Sequence, residues 1–116
     1  MASLTLNVSE QLKSRVEPFS RWLPAILELS LLALKTPAHQ AASELIAFLA
    51  SNPSAREVHA YRLSDASAKR VAQLLEKNRE GGLSQDEANE LDEYLRLEHV
   101  VRMMKVKLTS DDIASV

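Results

Sequence analysis

Three features of the amino-acid sequence predict a mainly α-helical fold, a helical bundle with a C-terminal helical hairpin and one short N-terminal strand. The apolar content comes from Leu, Ala and Val, with only Phe19, Trp22, Phe48, Tyr61 and Tyr94 as aromatics, a balance that favours helix packing over a sheet core. Apolar residues recur at spacings of three and four over most of the chain. The third feature is a pair of helix punctuation signals, Gly81-Gly82 followed by Ser84-Gln85-Asp86-Glu87. Glycine after a helix supplies a left-handed end, and serine with glutamate at the third following position is a capping box.

The elements follow in order. Leu4, Leu6 and Val8 alternate with Ser3, Thr5 and Asn7, the periodicity of a strand with one apolar and one polar face. Ser9 reads as a helix N-cap. Leu12, Val16 and Phe19 mark one face of a short helix stopped near Pro18, and Pro24 begins the next helix. That second helix is expected to run to about Lys35, apolar nearly all round and so buried on most sides, with Thr36-Pro37 ending it. A third, from about Ala38 to Ser51, turns Ala42, Leu45, Ile46, Phe48 and Leu49 to one face, and Asn52-Pro53-Ser54 is a turn. Residues 54–63 read as a helical turn followed by a connector.

Ser64 caps a helix through about Arg79, with Ala68, Val71, Ala72, Leu74 and Leu75 facing inward. Its hairpin partner spans Ser84 to about Leu108, with acidic residues at its start and Arg102, Lys105 and Lys107 at its end, the order that the helix dipole favours. Tyr94, Leu97, Val101, Met104 and Leu108, widened by Val100 and Met103, form a stripe that overhangs the shorter partner. The overhang needs a cover: the second and third helices, a second subunit, or a protein partner. Residues 109–116 read as a frayed tail. The domain division expected is a strand-helix-helix module over 1–36 and a helical region over 37–116 with its hairpin at 64–108.

Charge and composition exclude several function classes. Without cysteine there is no disulfide, thiol chemistry or cysteine-bound metal. No signal peptide or bilayer-spanning stretch is evident, so a soluble cytoplasmic protein is expected. His39, His59 and His99 lack metal-ligand spacing, and the carboxylates at 86–93 lack the glycine-centred loop of a hard-cation site. With Gly81 and Gly82 as the sole glycines, no glycine-rich phosphate loop can form. No nucleophile pattern stands out, so neither enzyme activity nor a cofactor or metal is expected. Residues 1–40 carry four cations against three carboxylates, and residues 80–98 carry Arg96 against seven carboxylates. Any nucleic-acid contact therefore belongs to the N-terminal part.

A lone strand must find a partner for its backbone groups. Antiparallel pairing with the same segment of a second molecule makes a two-stranded ribbon that buries Leu4, Leu6 and Val8 and presents Ser3, Thr5 and Asn7. Such a ribbon enters the major groove, where threonine and asparagine bond base edges. Amides near Pro24 and Ala25, with Arg21, are placed to meet a phosphate. Over residues 3–36 this layout resembles the ribbon-helix-helix repressors and antitoxins. The resemblance implies a homodimer that reads operator DNA through Ser3, Thr5 and Asn7, with Arg21 on the backbone. The chain departs from that pattern in having no Lys or Arg on the strand and Trp22-Leu23 in the inter-helix turn. The hairpin is similar to segments of small bacterial antitoxin-like proteins, which implies a toxin as protein partner. The alternative is an all-α protein–protein interaction or adaptor module with no nucleic-acid role.

Overall fold

A computed structural model describes residues 2–114, with side chains described through residue 108. The chain forms α1 (Glu10–Val16), a 3-10 segment (Glu17–Trp22), α2 (Leu23–Ser30), α3 (Ala38–Ala50), α4 (Ala55–Ala60), α5 (Asp65–Arg79) and α6 (Gln85–Ala114). No strand occurs among the described residues, and 2–9 carry no regular structure within the single chain.

The hairpin is built from local bonds. Gly81 takes φ 75°, its N–H donates to the Asn78 carbonyl at 2.9 Å, and the Gly82 N–H donates to that of Lys77 at 3.0 Å. This crossed pair satisfies carbonyls that α5 would otherwise leave open. Ser84 and Glu87 then cap each other reciprocally, at 3.0 and 3.1 Å. Ser54 and Glu57 do the same at the start of α4, both at 3.1 Å, so the helical turn expected in 54–63 is a capped helix.

Helix α6 is the spine of the molecule, packed against α2, α3, α4 and α5. At about 1.5 Å per residue it is roughly 45 Å long, close to the 51 Å longest dimension. The core runs along it: Leu91, Tyr94, Leu97, Val100, Met104 and Leu108 are buried against Trp22, Leu29, Leu45, Leu49, Val58, Val71 and Leu74. Phe48 of α3 stacks on Tyr61 with ring centroids 4.7 Å apart. The Trp22 indole N–H donates to the Pro53 carbonyl at 3.3 Å, and the Lys105 ammonium to the Tyr61 carbonyl at 2.7 Å. Among the described residues no buried side-chain nitrogen or oxygen lacks a hydrogen-bond partner.

Expectations for three of the helices are corrected. Helix α2 stops at Ser30 rather than Lys35. The Ser30 hydroxyl donates to the Ile26 carbonyl, Ala33 swings to φ 53°, and the Lys35 and Thr36 N–H groups turn to a carboxylate of α6. Nor is α2 buried all round, since Leu29 is enclosed while Leu27 and Leu31 are exposed, Leu31 by 81%. On α5 only Val71 and Leu74 are buried, and Ala68, Ala72 and Leu75 face outward. That helix leans chiefly on α6, so a narrow stripe suffices. Finally α6 continues past Leu108 to Ala114, through most of the segment read as a tail, of which residues 115–116 lie outside the described residues. Arg102, Lys105 and Lys107 thus sit within α6, not at its end.

Candidate functional site

The N-terminal arm is the part of the chain that its own fold leaves uncovered. Ser3, Thr5 and Asn7 are exposed, and so are Leu4 (75%), Leu6 (57%) and Val8 (47%). The Ser9 side chain accepts from the Leu12 N–H at 3.1 Å, so the arm passes directly into a capped helix. Helix α1 has no buried residue, and Leu12 is itself exposed. Four apolar side chains thus face solvent within nine positions, from Leu4 to Leu12.

Arg21 lies over the Trp22 ring, its guanidinium carbon 5.0 Å from the ring centroid. It is exposed while Trp22 is buried. The cation is therefore held in place by stacking with its donors turned to solvent. The start of α2, however, does not offer the amides expected for a phosphate. The 3-10 segment runs straight into it, the Leu23 N–H already donates to the Ser20 carbonyl, and Pro24 has no N–H.

The stripe expected to meet a partner is spoken for. Tyr94, Leu97, Met104 and Leu108 are buried in the chain's own core and Val101 is half-buried. Of the three possible covers, the chain's own helices supply it.

The acidic run at 86–93 is largely occupied within the fold. Glu90 receives two bonds from Arg70, both 2.8 Å, a partnership hidden in the sequence by the charged look of residues 56–70. Glu93, also buried, accepts from the Lys35 N–H, the Thr36 N–H and the Thr36 hydroxyl at 3.0–3.1 Å. Asp92 pairs with Arg96 at 3.2 Å. Glu87 meets Lys77 at 2.6 Å, and that hydrogen bond, with the Ser84 N–H next, lowers its carboxyl to about 2. Replacing Lys77 by methionine should move Glu87 back toward the ordinary value of about 4.3, read by NMR titration. Because the folded value is depressed, the parent loses this interaction only as pH falls through about 2. His39, His59 and His99 are exposed and separate, and among the described residues no cluster of three metal-ligating side chains occurs.

A feature not apparent from periodicity alone is an open groove of about 500 Å³ between the 3-10 segment, α2 and the C-terminal half of α6. Its apolar lining includes Trp22, Pro24, Val100 and Met103, and its charged rim Arg21, Glu28 and Lys107. Its α2 side is Pro24, Ala25 and Glu28, a face that the apolar period does not single out.

Comparison with models of protein families, with curated proteins and with solved structures finds no match. No helix among the described residues is long and apolar enough to cross a membrane.

Proposed function

We propose that this chain is a dimeric, antitoxin-like DNA-binding regulator that also engages a protein partner. The observation that carries the reading is the arm: residues 2–9, exposed and without internal pairing, alternate Leu4, Leu6 and Val8 with Ser3, Thr5 and Asn7 and enter a capped helix that buries nothing. Antiparallel pairing of two arms covers the three apolar side chains, each contributing on the order of 1–2 kcal/mol for the surface that it removes from water. The opposite face then carries a hydroxyl, a hydroxyl and an amide at the depth of base edges in the major groove. Arg21, held on Trp22, supplies a cation for the phosphate backbone. The proposal gives no residue a catalytic role and needs no cofactor.

The test is Thr5→Ala/Asn7→Ala, compared with the parent on the DNA upstream of its own reading frame over a salt series. Discrimination between that DNA and unrelated duplex should fall by roughly ten- to a hundredfold, while the dimer and the salt slope stay unchanged. A double variant that discriminates as well as the parent does would refute the ribbon.

A second reading, an all-α interaction module without DNA, is favoured by one specific observation. Residues 2–9 contain no lysine or arginine, and the hairpin start is strongly acidic, which opposes phosphate approach. It expects no DNA complex at moderate salt.

A further inference from the structure

The geometry points to a second copy of this chain as the occupant of the groove between α2 and α6, seated so that Glu28 of each copy faces Lys107 of the other. This rests on the homodimer reading above, and it adds a contact surface that the arm does not include.

Helices α2 and α6 cross the groove antiparallel, with residues 20–25 beside 103–108 and residues 28–32 beside 95–100. Glu28 therefore stands at one end of the groove and Lys107, beside Arg21, at the other. Among the described residues neither Glu28 nor Lys107 belongs to an ion pair, and both are exposed. A two-fold axis through the middle of the groove exchanges its ends. It carries the carboxylate of one copy onto the cationic end of its mate and forms the reciprocal pair at once, as a closed isologous contact requires. The charge pattern of this surface is complementary to itself.

The apolar surface agrees. Met103, which lines the groove, and Leu95, in the adjoining depression beside Glu28, are exposed apolar side chains on this surface. Met103 is long and unbranched enough to enter the facing groove.

The experiment is a charge exchange read by sedimentation equilibrium on the full chain. Glu28→Lys and Lys107→Glu should each weaken dimerisation about tenfold at low salt, and Glu28→Lys/Lys107→Glu together should restore it to within about threefold of the parent. Both substitutions lie on exposed positions, so the circular dichroism spectrum should remain that of the parent. Single variants that dimerise like the parent, or a double variant that fails to recover, overturn the proposal. A chain lacking residues 2–8 separates the two readings. Loss of its dimer, with no effect of the charge variants, leaves the arm reading standing and removes this one. A persisting dimer that still answers to charge exchange does the reverse. A parent that stays monomeric at all concentrations removes both.

Discussion

Leu97→Ala is expected to lower the stability of the chain by about 3 kcal/mol, within the range for emptying an enclosed leucine site. Leu97 is fully enclosed on the helix against which the other large elements lean. A hole there is lined from several sides by side chains anchored elsewhere, so it cannot collapse cheaply. For a domain of this length the melting temperature should fall by roughly 10 °C. Leu95→Ala, two positions along the same helix but 44% exposed, should change stability by no more than about 0.5 kcal/mol. Urea denaturation of the pair checks the prediction. Equal effects would mean that α6 does not present the face assigned to it.

Glu93→Ala should cost about 2–4 kcal/mol, because it removes one acceptor from three donors. The Lys35 N–H, the Thr36 N–H and the Thr36 hydroxyl all donate to this carboxylate. Glu93→Gln keeps an oxygen in place and should cost about half as much. The pH dependence distinguishes this from simple loss of packing. Burial pushes the Glu93 carboxyl up, but the bonds from Thr36 and Lys35, with Arg96 nearby, outweigh it and hold the carboxyl below its ordinary value. A depressed folded value stabilises above the unfolded carboxylate range, near about 4.3, and that stabilisation fades as pH falls through the lower folded value. The deficit of Glu93→Ala should thus be full at pH 7 and shrink in acid. Denaturation at both ends of that range reads it, and a pH-independent deficit would contradict the bonding described.

These two side chains also mark what was legible from residues alone. Leu97 lies on a stripe whose spacing announces its face, and the hairpin turn was equally plain, because the backbone bonds that end α5 and the capping bonds that begin α6 each span five residues or fewer. The end of α2 was not legible. Its apolar period continues to Leu34, and the group that draws the chain away is Glu93, 58 residues beyond Lys35. A terminator supplied from so far along the chain leaves no local mark. The width of a buried face is hidden for a similar reason. Ala68 and Leu75 look as inward as Val71 and Leu74 until one knows that α5 leans on one neighbour. At the arm, alternation of side chains is a property of the segment, and the described part of the chain offers it no strand to pair with.

The order of elements along the chain has a kinetic consequence. The helix that organises the core is translated after the four that rest on it. At about 5–20 residues per second, the ribosome needs several seconds to deliver residues 85–114 once α5 has emerged. During that interval Trp22, Leu45, Leu49 and Val58 lack the α6 side chains that cover them in the fold. Slowing translation across codons 80–110 prolongs this exposure and should raise aggregation before it lowers yield.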